Sequence, residues 1–81
     1  AMHDLNQAVS LSPKSFKAYY NRGRVWMQKE LWAEAVNDLT HATSLNSKSP
    51  KAYKLLGDAY SRLGEEDKAL LCWELAKRLE K

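Results

Sequence analysis

Lys17-Ala18-Tyr19-Tyr20-Asn21-Arg22-Gly23 and, 34 residues on, Lys51-Ala52-Tyr53-Lys54-Leu55-Leu56-Gly57 carry Lys, Ala, Tyr and Gly at the same four places. The same shift holds beyond these stretches. Ala35, Ala42 and Leu45 return as Ala69, Ala76 and Leu79, Trp26 meets Tyr60, and Leu39 meets Trp73. Upstream, Asp4, Leu5, Ala8, Leu11 and Ser15 return as Asp38, Leu39, Ala42, Leu45 and Ser49. A fixed period of this size marks a repeat array, in which each unit buries its apolar face on its neighbours. The chain reads as a single domain over residues 1–81: the second half of one unit (1–15), a full unit (16–49) and a nearly full one (50–81).

Within each unit the apolar spacing is helical. Tyr19, Gly23 and Trp26 fall at i, i+4 and i+7, and Ala35, Val36, Leu39, Ala42 and Leu45 form a second stripe. Gly23 and Gly57 lie inside these helices, where glycine costs roughly 1 kcal/mol relative to alanine. A close crossing of two helices explains them, with Ala35 and Ala69 expected opposite. Ser49-Pro50 reads as an N-cap followed by proline at the first helical position, Ser15 as the equivalent cap, and Gly64 as a helix stop. Lys29-Glu30-Leu31 makes the first hairpin turn without glycine. Five helices are expected, at about residues 2–12, 15–29, 33–46, 50–63 and 66–80.

These residues resemble the tetratricopeptide repeat family over essentially the whole chain. Tyr19, Arg22-Gly23, Trp26, Ala35, Leu39 and Ala42 fill the family pattern in the first full unit, and Tyr53, Leu56-Gly57, Tyr60, Ala69, Trp73 and Ala76 in the second. Ser47 departs from it, standing where the family usually has proline, a place held by Pro13 in the preceding unit. The resemblance implies an all-α, right-handed solenoid of antiparallel helical hairpins that serves as a scaffold for protein–protein interaction. The mid-hairpin start leads to the expectation of a segment cut from a longer array.

Composition leaves little room for other classes. The chain has 81 residues, 44% of them hydrophobic, with three Gly, two Pro and a net charge of +3, which fits one small, ordered, helical domain. No apolar stretch reaches the length of a membrane span. The lone Cys72 cannot staple the fold by itself, which points to an intracellular, cytoplasmic setting. His3, His41 and Cys72 are too scattered to bind a metal together, and His41 is expected on the outer face of its helix. Glu65-Glu66-Asp67 suits a helix N-terminus. With no phosphate loop and no nucleophile–base pair, neither an enzyme nor a cofactor is expected. Trp26 and Trp73 read as core, and Trp32 as a packing residue at the start of its helix.

In a hairpin stack the first helix of each unit lines the concave face. The positions there left free by the core stripe include Lys17, Tyr20, Asn21, Arg24, Lys51, Lys54, Leu55, Asp58 and Arg62, of which five are basic and one acidic. Such a groove attracts an acidic or carboxylate-bearing peptide, although any solvated helix face also carries Lys and Arg. Family members that clamp a C-terminal carboxylate use five residues. Asn21 and Lys51 match two of them, Leu55 stands where an arginine is required, and the helix supplying the other two is absent, so the full clamp is not expected. Single-stranded RNA binding draws on the same basic face but lacks the usual aromatic-rich signature, so a nucleic-acid partner is disfavoured. The last helix presents Leu70, Leu71, Trp73, Leu75 and Leu79, more apolar surface than one neighbour covers, which raises assembly through Leu71, Leu75 and Leu79 as the alternative role.

Overall fold

The computed structural model describes residues 2–11 and 14–80, without the side chains at 2, 3, 5 and 8. Pro13 and the His3 side chain therefore lie outside the described residues. Five helices follow one another: α1 (Met2–Leu11), α2 (Phe16–Gln28), α3 (Trp32–Leu45), α4 (Pro50–Arg62) and α5 (Glu66–Leu79). The all-α fold expected from the repeat is the fold observed.

Local chemistry sets the helix ends. Ser15 Oγ accepts a hydrogen bond from the Ala18 amide at 3.3 Å, and Ser49 Oγ accepts one from the Ala52 amide at 3.4 Å. Each satisfies an amide that has no partner inside its own helix. Where the family pattern has proline near position 47, Asn46 leaves the helix in an extended conformation and its side chain accepts from the Lys48 amide at 3.1 Å. That Asx turn brakes the helix in place of a proline ring.

Both hairpins close with the same pair of backbone bonds. The Leu31 amide donates to the Trp26 carbonyl at 3.0 Å and the Glu30 amide to Met27 at 3.1 Å; Glu65 donates to Tyr60 at 2.9 Å and Gly64 to Ser61 at 3.0 Å. This is the Schellman closure, which places one residue in the left-handed region. In the second hairpin that residue is Gly64, at φ 84°, and in the first it is Glu30, at φ 60°. The two are repeat-equivalent, so the first turn bears a strain that the second avoids.

Each helix packs on the next, α4 on α5 and α2 on α3 most extensively. The first helices α2 and α4 also meet directly, whereas among the described residues α3 and α5 do not. The stack therefore curves with α2 and α4 on its inner side. Ala35, Leu39, Leu56, Ala59 and Cys72 form the buried core, with Tyr20, Met27 and Leu55 packed on it from the inner side and Trp26 packed on it beside α3.

The close crossings fall at the two helical glycines, as expected, and large side chains lie nearest to both. A Cβ on Gly23 would stand 2.8 Å from Leu39 Cγ, and one on Gly57 would stand 2.5 Å from the Trp73 ring. Ala69 does face Gly57, with its carbonyl oxygen 3.1 Å from that Cβ position, while at Gly23 the nearest atoms belong to Leu39 and Asp38. Larger residues fill these places because the missing Cβ makes room for a whole side chain to lie on the glycine backbone.

One buried charge lies in this core. Asp38 is 2% exposed. Its carboxylate accepts from Arg22 Nε at 2.7 Å, Arg22 Nη2 at 2.8 Å and Trp26 Nε1 at 2.7 Å. Arg22 also donates to Asn6 Oδ1 at 3.3 Å, which ties α1 to the hairpin. In the second unit Leu56, Tyr60 and Cys72 occupy the three equivalent positions. The second repeat thus fills with apolar packing the place where the first uses a bidentate ion pair.

The turns and the ion pair are both open to substitution. Glu30→Gly should raise stability by about 0.5–1 kcal/mol and Gly64→Ala should lower it by about 1 kcal/mol, both read from denaturant midpoints. Asp38→Ala should cost about 3 kcal/mol by leaving Arg22 and Trp26 unpartnered, whereas Arg22→Leu with Asp38→Cys, the second repeat's own pair, should recover most of that loss in thermal melts.

Candidate functional site

The inner side of the stack is a groove between α2 and α4. On α2 the residues facing it are Tyr20, Arg24 and Met27; on α4 they are Lys51, Lys54, Leu55, Asp58, Ser61 and Arg62. Both sets follow the i, i+3, i+4 and i+7 spacing, so each is one stripe of its helix.

A cavity of about 320 Å³ at one end is lined by Tyr20, Arg24, Lys51, Lys54, Leu55 and Asp58. The repeat register alone assigns all six to the inner face. Tyr20 and Leu55 form its floor, half-buried against the core. The Arg24 guanidinium lies 5.9 Å from the Tyr20 ring centroid, a cation–π contact that holds it over the floor. Among the described residues, neither Arg24 nor Lys51 enters an ion pair, and Lys54 meets Glu80 only at 3.7 Å between two exposed groups. A pair so exposed is worth little and leaves the ammonium open to a ligand.

A second cavity, of about 470 Å³, continues the groove and is lined by Met27, Trp32, Asp58, Ser61, Arg62 and Trp73. Trp73 packs on Gly57, and its indole Nε1 donates to Asp58 Oδ1 at 3.1 Å. The Arg62 guanidinium sits 5.4 Å from the Trp32 ring centroid. Asp58 belongs to both cavities and stands between them.

Of the other inner-face residues, exposed Lys17 and half-buried Asn21 line neither cavity. The repeat pattern makes Trp32 and Trp73 packing residues, yet both rings open into the groove. The signal in the sequence is the exchange of Leu39 for Trp73 between units, a gain in bulk that the core crossing takes up only in part. At the C-terminal helix, Leu71 is 60% exposed and Leu70 56%, while Leu75 and Leu79 are half-buried.

The reactive side chains are engaged elsewhere. His41 is exposed, as expected, with its ring stacked on Tyr19 at 4.9 Å between centroids. Cys72 is buried in the core, and burial pushes its thiol up from the ordinary value. No three His, Cys, Asp or Glu side chains converge as metal ligands among the described residues. No helix among them is long and apolar enough to cross a membrane.

Comparison with known proteins bears out the resemblance. Residues 50–81 match the family model of the tetratricopeptide repeat. No curated protein matches the sequence. Among solved structures, a crystal structure of MamA is similar with a TM-score of 0.92 and 25% identity, over 98% of this chain and 46% of that one. Another structure, of the MamA protein, is similar with a TM-score of 0.90 and 26% identity, over 99% and 44%. The chain thus spans less than half the length of either. Tetratricopeptide repeats are a protein-interaction fold, and the helical-repeat architecture here is theirs.

The raised Cys72 thiol predicts slow chemistry. Below the ordinary cysteine value the thiol is neutral in both folded and unfolded chains. Above that value only the unfolded chain ionises readily, so stability should fall as pH rises through the alkaline range. Labelling with a thiol-reactive chromophore near neutral pH should be slow in buffer and become fast once denaturant unfolds the chain.

Proposed function

We propose that this chain is a protein-interaction module whose groove between α2 and α4 binds an acidic, extended segment of a partner protein. The observation that carries this reading is the smaller cavity, where Arg24, Lys51 and Lys54 converge over an apolar floor with Asp58 as the single opposing charge. Cations held over low-dielectric walls focus the field at the cavity mouth and favour an anionic ligand. A scaffold role needs no reacting groups, in keeping with the tetratricopeptide repeat and with the unreactive placing of His41 and Cys72.

A second reading rests on a different observation. Leu70 and Leu71 lie side by side and more than half exposed on α5. Val36, the equivalent of Leu70 in the first unit, is half-buried against the core, where α4 follows it in the stack. Leu70 has no such following helix among the described residues, and a further hairpin or a second copy would cover it. Light scattering over a concentration range should detect association that Leu70→Ser with Leu71→Ser abolishes. Mass unchanged with concentration in the unsubstituted chain would end this reading.

For the groove, fluorescence anisotropy with a labelled decapeptide bearing three Asp residues should report binding that weakens as salt is raised. Its Asn counterpart should bind at least about tenfold more weakly. Lys51→Glu with Lys54→Glu should remove the preference for Asp. Equal binding of both peptides, or indifference to the double substitution, overturns the reading. Tighter binding of an oligouridylate than of either peptide would replace it with a nucleic-acid function.

A further inference from the structure

The groove has two chemically different ends, and its geometry specifies more than an acidic ligand. At one end stand Arg24, Lys51 and Lys54; at the other, Trp32 and Trp73 flank Met27. We infer that the Trp32–Trp73 cavity is a second specificity site that takes an aromatic or large aliphatic side chain of the same bound segment, about three residues from its acidic residue. This inference rests on the groove reading above and sharpens it.

The spacing comes from the helix that lines both cavities. From Lys54 to Ser61, α4 rises about 10 Å, close to the length of three residues of an extended peptide in the polyproline II conformation, in which every third side chain returns to the same face. The whole stripe from Lys51 to Arg62 is about 16 Å, enough for about five residues. A ligand that seats its carboxylate between Lys51 and Lys54 thereby brings the side chain three positions away over the indole rings. α4 also begins at Pro50, so its positive end lies beside Lys51 and favours the carboxylate at that end of the groove over the other.

The walls of the second cavity are held in place before any ligand arrives. Trp73 is fixed on one side by its packing against Gly57 and on the other by the hydrogen bond to Asp58. Trp32 is covered by the Arg62 guanidinium. Both rings are half-buried, so their remaining apolar faces are the surface a guest side chain would desolvate. Rigid aromatic walls lose little freedom on binding, which is why such residues anchor interfaces.

Asp58 sharpens the choice further. It stands between the two cavities, and its carboxylate repels a second acid placed in the middle of the ligand. A polyanion, whether a run of acidic residues or a phosphate backbone, would meet this charge. A segment with one acid, a neutral middle and an apolar residue would not.

The test uses acetylated, amidated octapeptides of Ala, Ser and Gly carrying one Asp and one Phe, in both orders because the groove admits either chain direction. Binding is followed through the indole N–H signals of the three tryptophans in two-dimensional NMR. With Asp and Phe three residues apart, one of the two orders should bind about tenfold more tightly than the adjacent pair or the peptide with Ala for Phe. Trp32→Ala should erase that advantage and Trp32→Phe should keep it, while Lys51→Glu should weaken every Asp-bearing peptide. The Trp73 indole signal should move with the Phe peptide and stay in place with its Ala counterpart. The inference is overturned if Phe adds nothing at any spacing, or if its advantage survives Trp32→Ala. The peptide series on the unsubstituted chain decides the matter even where Trp32→Ala unfolds the protein. If Lys51-dependent Asp binding persists without a Phe effect, only the second site falls; if no Asp peptide binds, the groove reading falls with it.

Discussion

Two pairs of helices in this chain cross so closely that a side chain lies on bare backbone. Leu39 fills the space over Gly23, and the Trp73 ring fills the space over Gly57. Overlap of this kind is possible only where no Cβ intervenes, and it brings the helices of each hairpin into their most extensive contact. The hairpin is the unit that stacks, so the curvature of the stack and the groove on its inner side both descend from these crossings. A glycine that lowers helix propensity locally is compensated by the packing it permits.

The same crossing joins the fold to the candidate site. Because Trp73 lies over Gly57, its indole nitrogen reaches Asp58 one residue further along α4. A residue that closes the hairpin on one side thus forms a groove wall on the other. In the first unit Leu39 occupies the equivalent place, and there the polar partner of the hairpin is buried instead, with Asp38 gripped by Arg22 and Trp26. The two units reach one backbone shape by different chemistry, an ion pair with a hydrogen-bonded indole in one and a thiol among apolar side chains in the other. A buried ion pair adds little net stability over such packing; what it adds here is a link through Arg22 to Asn6 on α1.

The groove divides charge and apolar surface along one axis. Its cations lie near the start of α4 and its indoles near the end, with Asp58 between. The net charge of +3 gives no hint of this arrangement, because most charged residues face solvent in every direction. Only the subset turned inward by helix packing shapes what a ligand would meet.

Much of this architecture is legible in the residues. A 34-residue self-similarity, helical spacing of apolar positions and the Ser, Pro and Gly signals at helix ends set the number, order and approximate limits of the helices, because these depend on local backbone and side-chain preferences. The register also picks out the six residues of the basic cavity, since position in a repeat determines which way a side chain points. Three features depend on tertiary structure. Asp38 is an ordinary helix residue until Arg22, sixteen positions away, is brought beside it. The side chains nearest the glycines are those of Leu39 and Trp73, because only packing decides which side chain fills a gap. Trp32 and Trp73, packing residues by their place in the repeat, become walls of one cavity because α3 and α5 reach it from opposite sides of α4, a meeting set by how three helices stack and by no single stretch of chain.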